Sequence, residues 1–381
     1  MNLWVLFSLI LALSSELSAK KRGVRSEEVS SKTVHVLLQQ GHDGLYYGVV
    51  NIGTPGQMFK IFFDPIAVNM WVPSSKCDSA KYPTCGYHAK YNGTKSNSSH
   101  PTSARVNFVS FSASVTGNVT SDVIQLASTN TISQHFVEAD EISGALDNNT
   151  SFDGIIGLGS SRDKTDRPTV LESLKEQGLI NKATYSMYLN GSNGEILFGG
   201  ENHERYVGEM VFAKLLPGEM WSFKPNNVTF GRLDLCGSGC TALANVGSRH
   251  IYGPPKFIEA INEAMKCDPS QGLCEVHCSK LDELPDFRII IASKEFVLTP
   301  KQYIRRVRKG STEICQSPFA ALGIDFWFLG DVFLKTVYTE YDVEEQQIGF
   351  AHLRNADQRL YPTLGAIILV GLSSIWLHRT R

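Results

Sequence analysis

Long runs of like charge are missing from this 381-residue chain, in which 36 lysines and arginines nearly balance 38 aspartates and glutamates for a formal net charge of -2. Without a broadly basic surface there is no general attraction to polyanions, so a nucleic-acid partner is excluded. Long amphipathic helical stretches are scarce as well, which argues against a helical bundle. Cys274-Glu275-Val276-His277-Cys278 has metal-ligand residue types, but no second ligand group stands at zinc-finger spacing, and oxidised cysteines cannot ligate; neither a metal nor a cofactor is expected. Extended apolar runs are confined to the two ends of the chain.

The first of these runs, Leu3 to Leu13, precedes small residues at Ser18-Ala19 and reads as a secretory signal over residues 1–19. The second, Leu360 to Leu377, is uncharged and is followed by His378-Arg379-Thr380-Arg381. It is just long enough to span a bilayer, so a single-pass anchor with the body on the extracellular face is expected. A glycolipid anchor near Asn355-Ala356-Asp357 is one alternative and a soluble C-terminus another. Either tether would make the membrane a partner.

In an oxidising compartment the eight cysteines should pair. Proximity suggests Cys77 with Cys85 and Cys236 with Cys240, leaving Cys267, Cys274, Cys278 and Cys315 open. Asn-x-Ser/Thr sequons begin at Asn92, Asn97, Asn118, Asn148, Asn149, Asn190 and Asn227, which predicts surface positions for those segments.

Between the ends the pattern is β-like, with short or alternating apolar runs such as Tyr46 to Ile52, Met58 to Phe63 and Val207 to Phe212, bounded by turn formers. Helices are predicted only at Thr169–Gln177, Pro255–Met265 and Pro300–Ile304. The fold class is therefore all-β with minor helices. A weak repeat relates Phe62-Phe63-Asp64-Pro65-Ile66 to Ala242-Leu243-Ala244-Asn245-Val246-Gly247. Each is followed later by an apolar segment ending in glycine, Ile155-Ile156-Gly157-Leu158-Gly159 and Phe326-Trp327-Phe328-Leu329-Gly330-Asp331, so two related halves are implied.

These segments, together with Asn51-Ile52-Gly53-Thr54-Pro55-Gly56-Gln57, Asn69-Met70-Trp71-Val72-Pro73-Ser74 and Phe152-Asp153-Gly154, resemble the pepsin and cathepsin D family of aspartic peptidases from about Tyr46 to Ala351. The resemblance implies a bilobal acid protease fold with pseudo-two-fold symmetry, an interlobe cleft and a flap hairpin. It implies a first lobe over residues 46–205, a second over 206–354 and a tail over 355–381. Residues 20–45, with Lys20, Lys21, Arg22 and Arg25, are left as a short basic pro-like segment. It also implies a Cys278–Cys315 bridge, which leaves Cys267 for Cys274.

The resemblance further places the catalytic pair at Asp64 and Asn245. Family chemistry uses two carboxyl groups sharing a proton, and here the second is an amide. Pro65 and Val246 lack the hydroxyls that family threonines supply, and Ile66 replaces a glycine, which predicts a reshaped loop. The flap tip reads Ser110-Phe111-Ser112 without the family tyrosine. With the like-charged neighbour gone, Asn245 is expected to donate its amide to Asp64 and favour the carboxylate. The expectation is a degenerate member that is not an enzyme, with a peptide or protein ligand in its cleft. An acid endopeptidase pairing Asp64 with a non-standard partner, or a glycosylated scaffold with a closed cleft, are the alternatives.

Overall fold

The computed structural model describes residues 32–354 apart from 112, 128–129, 145, 147, 160–166, 219–220, 268–272 and 311. The signal segment 1–19, the basic residues Lys20 to Arg25, Ser112 at the flap tip and the apolar run 360–377 lie outside the described residues. Among those described, no helix is long and apolar enough to cross a membrane.

The first half is built from β1 (Val34–Gln40), β2 (Tyr46–Ile52), β3 (Gln57–Asp64), β4 (Trp71–Pro73), β5 (His100–Ser110), β6 (Ala113–Gln125), β7 (Thr131–Gly144), β8 (Gly154–Gly157), β9 (Thr184–Asn190) and β10 (Asn193–Phe198). Strand β1 falls in the stretch that the sequence reading assigned to the pro-like segment. Its alternation buries Val34, Val36 and Leu38 on one face while the residues between them face out, as a half-buried strand requires. It pairs with β2 and β10 as an integral part of the sheet.

The second half contributes β11 (Tyr206–Lys214), β12 (Ser222–Phe223), β13 (Asn227–Phe230), β14 (Leu233–Asp234), β15 (Ala242–Ala244), β16 (Ile251–Gly253), β17 (Glu275–Val276), β18 (Phe287–Ile291) and β19 (Lys294–Leu298). It continues with β20 (Arg305–Lys309), β21 (Thr312–Gln316), β22 (Phe319–Ala321), β23 (Trp327–Leu329), β24 (Val337–Asp342) and β25 (Gln347–Leu353). Strands β11, β24 and β25 join all ten strands of the first half in one 13-stranded sheet, with β24 hydrogen-bonded to β9 at the seam. Smaller sheets of five, four and three strands complete the second half.

Helices are short: α1 (Val170–Glu176), α2 (Pro255–Met265), α3 (Pro300–Tyr303) and α4 (Asp331–Leu334). Helix α1 begins with a capping box between Thr169 and Glu172, which satisfies two otherwise orphaned N–H groups. Helix α2 opens on Pro255, whose missing N–H is no loss at that position, and stops where Lys266 turns left-handed. The mostly β architecture is consistent with the bilobal pepsin-like fold.

All eight cysteines are bridged, as Cys77–Cys85, Cys236–Cys240, Cys267–Cys274 and Cys278–Cys315. None of the seven sequon asparagines is buried.

Candidate active site

Asp64 ends β3, a strand in the middle of the large sheet. Four buried positions in succession, Ile61 to Asp64, mark a strand covered on both faces. It runs parallel to β8, with Asp64 opposite Gly157. The second half repeats this arrangement: β15 runs parallel to β23, with Ala244 opposite Leu329, and Asn245 follows directly. In each half an antiparallel partner closes the unit, β4 on β8 and β16 on β23.

The loops after these strands are held in the same way. The Ile66 N–H donates to Asp64 Oδ1 at 2.9 Å, and the Gly247 N–H donates to Asn245 Oδ1 at 3.2 Å. Two glycines permit this by letting backbones touch. A Cβ at Gly157 would lie 2.4 Å from the Ala67 carbonyl oxygen, and one at Gly330 would lie 2.3 Å from those of Ser248 and His250. Ile66 is not among the residues of positive φ, so the loop accommodates its β-branched side chain without the strain that its sequence suggests.

Asp64 is 5 % exposed and Asn245 7 %. Burial raises the Asp64 carboxyl above its ordinary value, while the N–H groups of Ile66 and Ala67 pull it down by less. No hydrogen bond joins Asn245 to Asp64 among the described residues, which corrects the expected cross-lobe bond. The Asn245 oxygen accepts within its own loop, its Nδ2–H group makes no hydrogen bond to Asp64, and desolvation outweighs hydrogen bonding at the carboxyl.

The flap is the β5–β6 hairpin, in which Ser110 pairs with Ala113 at the tip end. Ser110 is buried, and its Oγ accepts the Trp71 indole N–H at 3.1 Å. Phe111 takes φ of 51° and turns inward, edge-on to Phe62 and Phe152 at centroid separations of 5.3 and 5.4 Å. Its Cε2 would stand 3.4 Å from a Cβ at Gly247, so the flap tip of the first half touches the Asn245 loop of the second. Phe111 thus caps a buried aromatic cluster with Phe62, two residues before Asp64, and Phe152. Asp153 is structural: its carboxylate accepts the N–H groups of Lys60 and Ala89, pinning β3 to the loop at Ala89.

Sequence reasoning missed a layer of rings beneath these loops. Tyr185 stacks on Tyr341 at 4.6 Å, and Trp221 meets both edge-on. Burial, then Tyr341 and Asp64, hold the Tyr185 hydroxyl firmly protonated. The Trp221 carbonyl accepts the Ala244 N–H, so this layer runs from below Asp64 to the neighbour of Asn245. Asp331 is a further buried acid, pushed up to about 8 by desolvation despite Lys335 and Arg249. It was visible only as part of Leu329-Gly330-Asp331, with no chemistry attached. Among the described residues no group of acids, histidines and cysteines is arranged to hold a metal ion.

The model of the family described as eukaryotic aspartyl protease matches residues 45–353. Cathepsin D of Dictyostelium discoideum is 34% identical to the chain, over 81% of the chain and 83% of that relative. Cathepsin D of Clupea harengus is 31% identical over 81% of each, and that of Mus musculus 30% identical over 87% of the chain and 86% of the relative. These findings overturn the expectation, drawn from Asn245, that the chain is not an enzyme: similarity extends through most of the chain to proteins of a protease family, and family evidence points to an enzyme. With the fold, the twin loops and the flap all in place, the chain belongs to the eukaryotic aspartyl protease family.

Proposed function

We propose that the chain is an aspartic peptidase that hydrolyses an extended polypeptide in the interlobe cleft, with Asp64 as its proton-transferring acid and Asn245 as a hydrogen-bond donor. The observation that carries this reading is the matched pair of loops, which fix a buried carboxyl and an amide at corresponding places in the two halves. Ionised Asp64 accepts a proton from water as the water oxygen bonds to the scissile carbonyl carbon. The carbonyl π electrons move to its oxygen, where the Asn245 Nδ2–H group donates. Collapse of this intermediate breaks the C–N bond, and the Asp64 proton passes to the departing nitrogen. Atoms and charge balance with one acid.

Phe111, partly exposed and backed by the buried Phe62 and Phe152, supports binding of an apolar side chain next to the scissile bond. Four disulfides and seven unburied sequons support passage through the secretory pathway.

A single base must be ionised to act, so kcat/KM should rise with pH through the elevated Asp64 titration, unlike a site that needs one shared proton. The test is mass-spectrometric detection of cleavage of a mixed peptide pool across pH 3 to 8. Cleavage lost by about a thousandfold or more in Asp64→Asn supports the assignment. Cleavage that survives this substitution, or none at any pH from the intact chain, overturns it.

A further inference from the structure

A cavity of about 1030 Å³ is lined by residues that follow the Asn245 loop in the chain. That loop continues directly into Arg249 and His250, both of which line it. Arg249 also reaches the first half, where a Cβ at Gly44 would stand 2.7 Å from its Cδ. Arg305 and Lys335 contribute further cations, and Asp331 is the one carboxyl group among the described lining residues. Lys335 stands 4.0 Å from Asp331. Neither Arg249 nor Arg305 has an ion pair among the described residues.

These cations are held together against their mutual repulsion. Burial and the Arg249 charge both depress Arg305, and burial, Arg249 and Arg305 depress His250. Asp331 cannot offset them, because burial keeps it largely protonated at and below neutral pH. Arg249 and Arg305 are exposed at the cavity, so it presents cations that no carboxylate among the described residues neutralises. Guanidinium groups pair with carboxylates through two parallel hydrogen bonds. Val297 and Val332, both partly exposed, also line the cavity, and a lining of cations with apolar side chains suits the carboxylates and methylenes of an acidic peptide better than one compact inorganic anion.

We propose that this cavity receives acidic side chains of the polypeptide lying in the interlobe cleft, so that the chain selects acidic peptides. The inference rests on the peptide-binding part of the function proposed above, but not on hydrolysis.

The test is direct binding, read by fluorescence anisotropy with fluorescein-labelled hexaglutamate and hexalysine at neutral pH. Hexaglutamate should bind and hexalysine should not. Arg249→Ala combined with Arg305→Ala should weaken hexaglutamate at least tenfold. Arg288→Ala, which removes an exposed arginine paired with Asp286 and Glu295, should leave it unchanged. Equal weakening by both variants would mean diffuse surface charge and overturn the proposal. Stronger binding of inorganic phosphate than of hexaglutamate, measured by competition, would assign the cavity to a small anion and overturn it too. Because the readout is binding, a chain that cleaves nothing can still bind hexaglutamate as expected.

Discussion

Loop Asp64-Pro65-Ile66 and loop Asn245-Val246-Gly247 have the same frame and different chemistry. Each follows a buried strand, each side-chain oxygen accepts the N–H two residues on, and each rests against a glycine that allows backbone contact. Asn can replace Asp within this frame because only the oxygen facing the loop is required. The comparison teaches that these loops are shaped by backbone approach and one acceptor atom, whereas proton chemistry depends on the remaining atom of the same side chain. The halves differ in bracing as well: the second holds three of the four disulfides.

The sharpest way to break the comparison is to make the loops chemically alike. Asn245→Asp puts a second carboxyl at a site only 7 % exposed. Ionised there, it should destabilise the fold by about 3 kcal/mol or more at neutral pH, and protonation should recover most of that loss near pH 4. Urea unfolding at the two pH values measures the difference. An equal effect at both would mean that the loop, not the charge, is disturbed.

An effect spread over several pH units concerns Asp331, whose raised carboxyl has no counterpart in the loop at Gly157. A folded-state value above the unfolded one contributes stability at low pH that is lost as pH rises through the folded value. Between about 4 and 8 the intact chain should therefore lose stability with increasing pH, by up to about 1.4 kcal/mol per pH unit from this group. Asp331→Asn should flatten that slope in chemical denaturation. An unchanged slope would assign it to other raised acids such as Asp64 or Glu340.

The smallest expected change is at the flap. Ser110→Ala leaves the Trp71 indole N–H buried without its acceptor and should cost about 1 kcal/mol. Thermal unfolding measures this, and an unchanged midpoint would show that Trp71 finds another acceptor.

Local pattern made much of the fold legible. Alternation marks β2 over Tyr46–Ile52, and the Pro start and apolar spacing mark helix α2 over Pro255–Met265, both with the bounds observed. Strand β1 was assigned to the segment ahead of the first lobe, because its place depends on β10, far along the chain. In the site, the positions of Asp64 and Asn245 followed from their motifs, but the state of Asp64 did not. Burial comes from the whole fold, and it outweighs the two N–H groups that donate to the carboxylate. The Tyr185, Trp221 and Tyr341 layer is brought together from three distant strands or loops, so no window of sequence contains it.

The seam between β9 and β24 has a consequence for how this protein can be divided. A fragment ending before β11 would present β9 as a bare edge, and the complementary fragment would present β24. Unprotected edges of this kind recruit other chains. Separately produced halves should therefore precipitate or cross-pair, while co-expressed halves have a ready-made route to reassemble along that single line of backbone bonds.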